Sequence, residues 1–214
     1  MAACAHTSTT HPAARSLVSP SAPRSDAVNP ANVKRVAREL PPGYEVTVGI
    51  RGDASPRVVW GLGAGARVTP SACAALADPG GGRQQAAQGV SGSGTGGIVE
   101  AAVVELRPGP ATLDRDAVLA CRHWTMSSGR GDATVVLADV PAIDGADTLA
   151  MVADTRTSVE SGAEIDSRIY TFVAYLGDYY AFTALTSDPG STLPALPPRF
   201  AADLLAKTVA AVRG

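Results

Sequence analysis

Three cysteines, one histidine outside the N-terminal stretch and two glycine motifs are the residues of this 214-residue chain that invite chemical questions. Cys73 (TPSACAALADP) and Cys121 (DAVLACRHWTM) each lie in a short apolar stretch of helical character, whereas Cys4 lies in a polar one. An odd cysteine beside a possible pair predicts a division of labour, with one thiol free or modified and two joined. A Cys73–Cys121 bond would stabilise the domain by about 4 kcal/mol in the chain-entropy model, and it would persist only in an oxidising compartment. Two unrelated reduced thiols in the core are the alternative.

Nucleophilic catalysis finds thin support. No G-x-S-x-G elbow occurs. Cys121 and His123 stand two apart on a predicted helix and so point to different sides. Asp114/Asp116 and Glu164/Asp166 read as helix starts and solvated turns rather than acid/base pairs. A hydrolase would need a Ser, Thr or Cys beside His123 and a third group to orient the imidazole. The chain is therefore read as a non-enzyme, with a His123 hydrolase as the alternative.

Cofactor and metal motifs fare no better. GLGAGA (61–66) matches G-x-G-x-x-A, but Val68-Thr69-Pro70 intervenes before any helix could present its N-terminus to a pyrophosphate. GSGTGG (92–97) leads into a β-branched run rather than a helix. No cofactor is expected. His6 and His11 lack a cysteine pair at zinc spacing, and no metal site is expected either. Arg51-Gly52-Asp53 and Arg130-Gly131-Asp132 repeat an adhesion tripeptide and are read as turns.

The elements that would carry these residues follow from patterning. Residues 1–28 are Ser, Thr, Pro and Ala with no hydrophobic period, and read as a disordered tether. Residues 29–214 suffice for one domain. NPANVKRVARELPPG reads as a helix capped by Asn29. YEVTVGI (44–50) and RVVWGLG (57–63) read as strands, 71–77 as a short helix, and the Gly-rich stretch 79–97 as a mobile loop. Strand 97–106, helix 113–124 and strands 132–140 and 147–159 follow. SRIYTFVAYL-GD-YYAFTALTS then forms a hairpin on a Gly177-Asp178 turn. Its register pairs Tyr175 with Tyr180 and Val173 with Phe182 on one face, and Leu176 with Tyr179 and Phe172 with Thr183 on the other. Both faces are apolar, so both must be covered. Residues 197–214 form a closing helix. The fold class is α+β, an antiparallel β-sheet with helices packed on it.

Hydrophobic residues make up 45% of the chain but aromatics only 5%, so a few large rings must anchor a small-residue core. Trp60, Trp124, Tyr175 and Tyr180 are the candidates to line an apolar, ligand-binding cleft wherever the sheet is left partly open. The net charge of −2 carries no footprint for nucleic acid.

Two resemblances add to this reading. Met1-Ala2-Ala3-Cys4 resembles the end of the box in which bacterial lipoproteins acylate a cysteine, although the preceding signal segment is missing here. The resemblance implies lipidation at Cys4 and a membrane contact through the anchor only. ELPPGYEV, CAALADP, GTGGIVEAAV, CRHWTM and YLGDYYAFTAL together resemble mycobacterial-type envelope lipoproteins of unknown function, similar in turn to the extracellular sensor domain of PknH-type receptor kinases. That likeness implies a PknH-sensor-like, disulfide-stapled domain in the cell envelope, outside the cytoplasm. The expected partner is a small or lipid-like ligand or an envelope protein. A carrier of hydrophobic envelope lipids is a further alternative, and it requires a deep apolar cavity.

Overall fold

The computed structural model describes residues 1, 27–50, 54–129, 131–187 and 192–214. Cys4, both tail histidines, the first RGD tripeptide and Arg130 of the second lie outside these residues.

Asn29 accepts a bond from the Ala31 amide at 3.1 Å and caps a helix over Pro30–Glu39, as its sequence predicts, although the helix is wound as a 3-10 helix. The chain then forms β1 (Glu45–Val48), a single-turn helix α1 (Pro56–Val59) and β2 (Arg67–Thr69). A second 3-10 turn (Ser71–Cys73) runs into α2 (Ala74–Ala77). Strands β3 (Gln84–Gly94) and β4 (Gly97–Arg107) follow, then α3 (Arg115–Ala120). Strands β5 (His123–Ser128), β6 (Gly131–Ala138), β7 (Asp147–Ser158), β8 (Glu164–Leu176) and β9 (Tyr179–Ser187) precede the closing helix α4 (Pro198–Arg213).

All nine strands join one antiparallel sheet in the order β1-β3-β4-β9-β8-β7-β6-β5-β2. The β8–β9 hairpin has the register that its sequence predicts, with Tyr175 opposite Tyr180 and Leu176 opposite Tyr179. Gly177 takes the positive φ of 70° that so tight a turn demands. Two cores result. On one face Val173, Tyr175, Tyr180 and Phe182 pack with Trp60, Leu76, Trp124 and Met126 beneath the segments around α1, α2 and α3. On the other, Phe172, Leu176 and Leu185 pack with Val33 and Val36 of the first helix and Leu204, Leu205 and Val209 of α4.

Three expectations are corrected. The Gly-rich stretch 79–97 is not a loop, because Gln84–Gly94 pairs with β4 along its whole length. Its glycines are there for contact rather than motion. A Cβ on Gly92 would sit 2.7 Å from Leu40 Cδ1, and one on Gly89 would sit 2.5 Å from Ile50 Cδ1. Glycine inside a strand often marks such a close approach. Residues 57–63 are likewise not a strand: Ser55-Pro56 starts a helical turn that brings Trp60 down onto the sheet. Helix α3 is also shorter than expected, because Cys121 closes it and His123 already begins β5.

Candidate functional site

Cys73 and Cys121 are joined, with Cα atoms 5.6 Å apart and both side chains fully buried. The bond ties the end of the second 3-10 turn to the end of α3, which have no backbone ladder between them. Asp114 caps α3 by accepting from the Ala117 amide at 2.9 Å, so this carboxylate serves the helix. Nearby, the half-buried ion pair of Arg57 with Asp78, 3.0 Å long, fastens α1 to the end of α2.

The four aromatic candidates are core anchors, which corrects their assignment to an open groove. Trp60 is buried and donates its Nε1 hydrogen to Thr171 Oγ1 of β8 at 3.1 Å. Tyr180 is buried and donates to the Ala54 carbonyl at 2.6 Å. Trp124 is buried, and its Nε1 has no hydrogen-bond partner among the described residues. Tyr175 is 6% exposed and borders a surface depression with Thr112, Asp147 and Gly177. Burial, and then the charges of Asp114 and Asp147, push its hydroxyl pKa up. In an Ala-rich interior these large rings are consumed in filling the space between the sheet and its covering segments.

The helices leave another surface open. The first helix and α4 lie over β3, β4, β9 and part of β8 and bury Ala150 of β7, whereas the same face of β2, β5, most of β6 and the Asp154–Ser158 end of β7 remains exposed. Strand β6 shows the division: Asp132, Thr134 and Val136 are exposed, whereas Ala133 and Val135 are buried. Three rows run across this open face in strict register. One places Thr69, Thr125, Thr134, Asp154 and Arg168 side by side. A second places Arg67, Ser127, Asp132, Arg156 and Asp166 in line. The third runs from His123 through Val136 and Val152 to Tyr170.

Charges on these rows pair across strands. Arg168 holds Asp154 through two bonds of 2.6 and 3.1 Å, and Arg156 meets Asp166 at 3.0 Å and Glu164 at 3.6 Å. Each of these groups is about half exposed, so the pairs set orientation more than stability. A depression of about 480 Å3 lies over Asp132, Thr134, Asp154, Arg156 and Asp166. Such a surface offers hydroxyls, carboxylates and guanidinium groups already fixed in place, which suits recognition of a polar partner. His123 is exposed on the same face, opposite Val136, and no hydrogen bond joins it to a Ser, Thr or Cys among the described residues. The sequence signal for this surface was present as period-two polar residues (DAT, DTRTS, EIDSR) with opposite charges due to fall on neighbouring strands.

One carboxylate on the opposite face has a measurable consequence. Glu100 lies on β4 between Ser91 and Ala184, and burial pushes its pKa up. The fold therefore favours the neutral acid, and the native state binds this proton more tightly than the unfolded chain. The stability that Glu100 permits is full below the unfolded pKa and falls as pH rises through the folded one. The isosteric Glu100→Gln variant is expected to be more stable than the parent near neutral pH and to lose that advantage below about pH 4. Urea unfolding at a series of pH values checks this, and equal pH profiles for the two proteins would refute it.

Residues 29–213 match a family described as a domain of unknown function. The X-ray structure of an uncharacterised protein from Mycobacterium smegmatis, an Rv0999 ortholog, is similar at 20% identity and a TM-score of 0.63, covering 88% of this chain and 98% of that one. The crystal structure of the extracellular domain of PknH from Mycobacterium tuberculosis is similar at 15% identity and a TM-score of 0.48, covering 88% and 93%. A mycobacterial protein of unknown function and the extracellular domain of PknH are thus among the structures similar to this chain, in line with the resemblance read from the sequence. At such identities the likeness is one of fold. No curated protein matches.

Proposed function

The chain belongs to the DUF5642 family, whose function is unknown, and from its own surface we propose that it is a non-catalytic binding domain of the cell envelope, held at the membrane through Cys4. The observation that carries the binding role is the open polar face of β2, β5, β6 and β7, where paired charges and three threonines are presented in register. A buried disulfide supports an oxidising compartment. The Met1–Cys4 box supports acylation, and among the described residues no helix is long and apolar enough to cross a membrane. The open face favours a polar ligand or the polar surface of an envelope protein over an acyl chain, because its exposed groups would lose water against lipid without compensation.

Two measurements test this reading. Intact-mass spectrometry of the protein made in a mycobacterial host, from its natural upstream region, is expected to show an acylated Cys4; an unmodified thiol there refutes the anchor. An NMR titration with polar envelope saccharides, and separately with short-chain lipid micelles, tests the face. Shifts confined to Thr134, Asp154, Arg156 and Arg168 are expected with the polar ligands. Shifts centred on Trp60, Trp124 and Tyr180 with the micelles would restore the lipid-carrier reading.

A further inference from the structure

The first helix and α4 form one layer over the sheet. The Asn29 amide, at the start of the first helix, donates to the Val212 carbonyl near the end of α4 at 2.7 Å, so the two lie antiparallel. With three residues per turn, the first helix puts Val33 and Val36 on one buried line and Arg35 and Arg38 on another that is exposed; Lys34 is exposed as well. On α4, Leu204, Leu205, Thr208, Val209 and Val212 are buried, whereas Arg199, Asp203 and Lys207 are exposed at every fourth position. The Lys207–Glu39 ion pair, 2.6 Å long, bridges the two helices.

Charge is segregated onto this layer. The two helices carry six basic residues (Lys34, Arg35, Arg38, Arg199, Lys207 and Arg213) against two acidic ones, Glu39 and Asp203, a net of +4. The other described residues carry eight basic and fifteen acidic side chains, so the chain's net charge of −2 conceals one strongly positive side. Both lysines of the chain lie here. Lys34, Arg35, Arg38 and Arg199 make no ion pair among the described residues, so these charges are not spent within the layer.

We propose that this helix layer is a membrane-contact surface, and that its occupant is the anionic headgroup layer of the bilayer to which the chain is anchored. Each Lys or Arg brought to an anionic leaflet strengthens contact about five-fold. Connectivity selects this surface over the rest of the molecule. Cys4 stands 25 residues before Asn29, and Asn29 opens the first helix, so the covalent path from the anchor spans at most ~90 Å and ends on the basic layer. The inference goes beyond the binding role of the open polar face and rests on the anchored reading only for the source of the bilayer. That face lies on the same side of the sheet but about 10 Å, one helix diameter, further back, so contact through the helices leaves room there for a ligand. The anchor is then not the chain's only contact with the membrane.

Chemical anchoring tests the contact separately from natural acylation. In the full chain Cys73 and Cys121 are joined, which leaves Cys4 as the one thiol to couple to a maleimide lipid in preformed vesicles. On vesicles containing phosphatidylglycerol, Lys34 is expected to react with an acetylating reagent about five-fold more slowly than on pure phosphatidylcholine vesicles, as read by mass spectrometry. The difference should vanish in 1 M salt, where screening acts within ~3 Å. Arg35→Gln with Arg38→Gln is expected to lose the protection while leaving the circular dichroism unchanged. Arg107→Gln with Arg115→Gln, which removes the same charge from exposed sites elsewhere, is expected to keep it. Equal labelling on the two kinds of vesicle, or loss of protection in both double variants, overturns the proposal. Protection of Lys34 by soluble polyglutamate but not by anionic vesicles overturns it too, and assigns the layer to an acidic protein.

Discussion

Replacing Cys73 and Cys121 together by alanine is expected to lower the unfolding free energy by about 4 kcal/mol. The bond closes a loop of 48 residues that contains the whole β3–β4 hairpin. Breaking it returns to the unfolded chain the freedom that the loop had removed, and α2 and α3 are too short to hold their places alone. Alanine is the informative replacement, since a serine hydroxyl would be buried where both sulfurs have no exposed surface. Urea unfolding with and without a thiol reductant provides the measurement. The parent protein should weaken on reduction to the level of the double variant, and the variant should not respond. A loss below about 1 kcal/mol would show that the covering segments are held by packing alone, and a reductant effect that persists in the variant would show that the reductant acts elsewhere than on this bond.

Trp60→Ala is expected to cost about 3–5 kcal/mol, the range for truncating a large buried ring. The residue closes a helix of four residues, which has no stability of its own. Its indole lies in the core, and its N–H reaches Thr171 on a central strand. Thr171→Val leaves the ring in place but removes the acceptor, and should cost about 1–3 kcal/mol for the buried donor left unpaired. Trp124 offers the contrast. Its N–H has no partner among the described residues, so Trp124→Phe loses packing without losing a hydrogen bond. Trp60→Phe should therefore be the more damaging of the two phenylalanine variants in thermal unfolding. Equal losses would mean that the Trp60–Thr171 bond contributes nothing.

Both predictions concern residues that the sequence singles out, yet only one of the two roles was legible. Two cysteines in apolar stretches and a third in a polar one point to the pairing found, because a small-residue core gains from a covalent staple. The tryptophans and tyrosines were legible as large groups in a chain poor in them, but not as filling or lining. That distinction depends on which segments fold back over the sheet. Once α1 and the turn at Ser71–Cys73 lie over the strands, the rings are enclosed.

The β8–β9 hairpin is the element that local rules resolve best. A two-residue turn and alternating side chains leave one register, and apolar groups on both sides require cover on both faces. The helix ends at Asn29 and Asp114 are of the same kind, since a capping side chain acts on amides two or three residues away. In contrast, the Gly-rich stretch 79–97 has no propensity to be a strand. Residues 84–94 become one by pairing with β4, and the glycines among them let Leu40, Tyr44 and Ile50 approach the backbone where a Cβ would collide.

Cross-strand charge pairs follow the same logic at longer range. Arg168 and Asp154 stand in one row only because β7 and β8 align them, and the row stays exposed only because α4 ends its coverage at β8. Turns, caps and the two-sided hairpin arise from neighbours along the chain, so the order of residues was enough to read them. The buried rings, the glycine strand and the uncovered polar face arise from contacts between distant segments, whose meeting is set by the folded chain's overall packing.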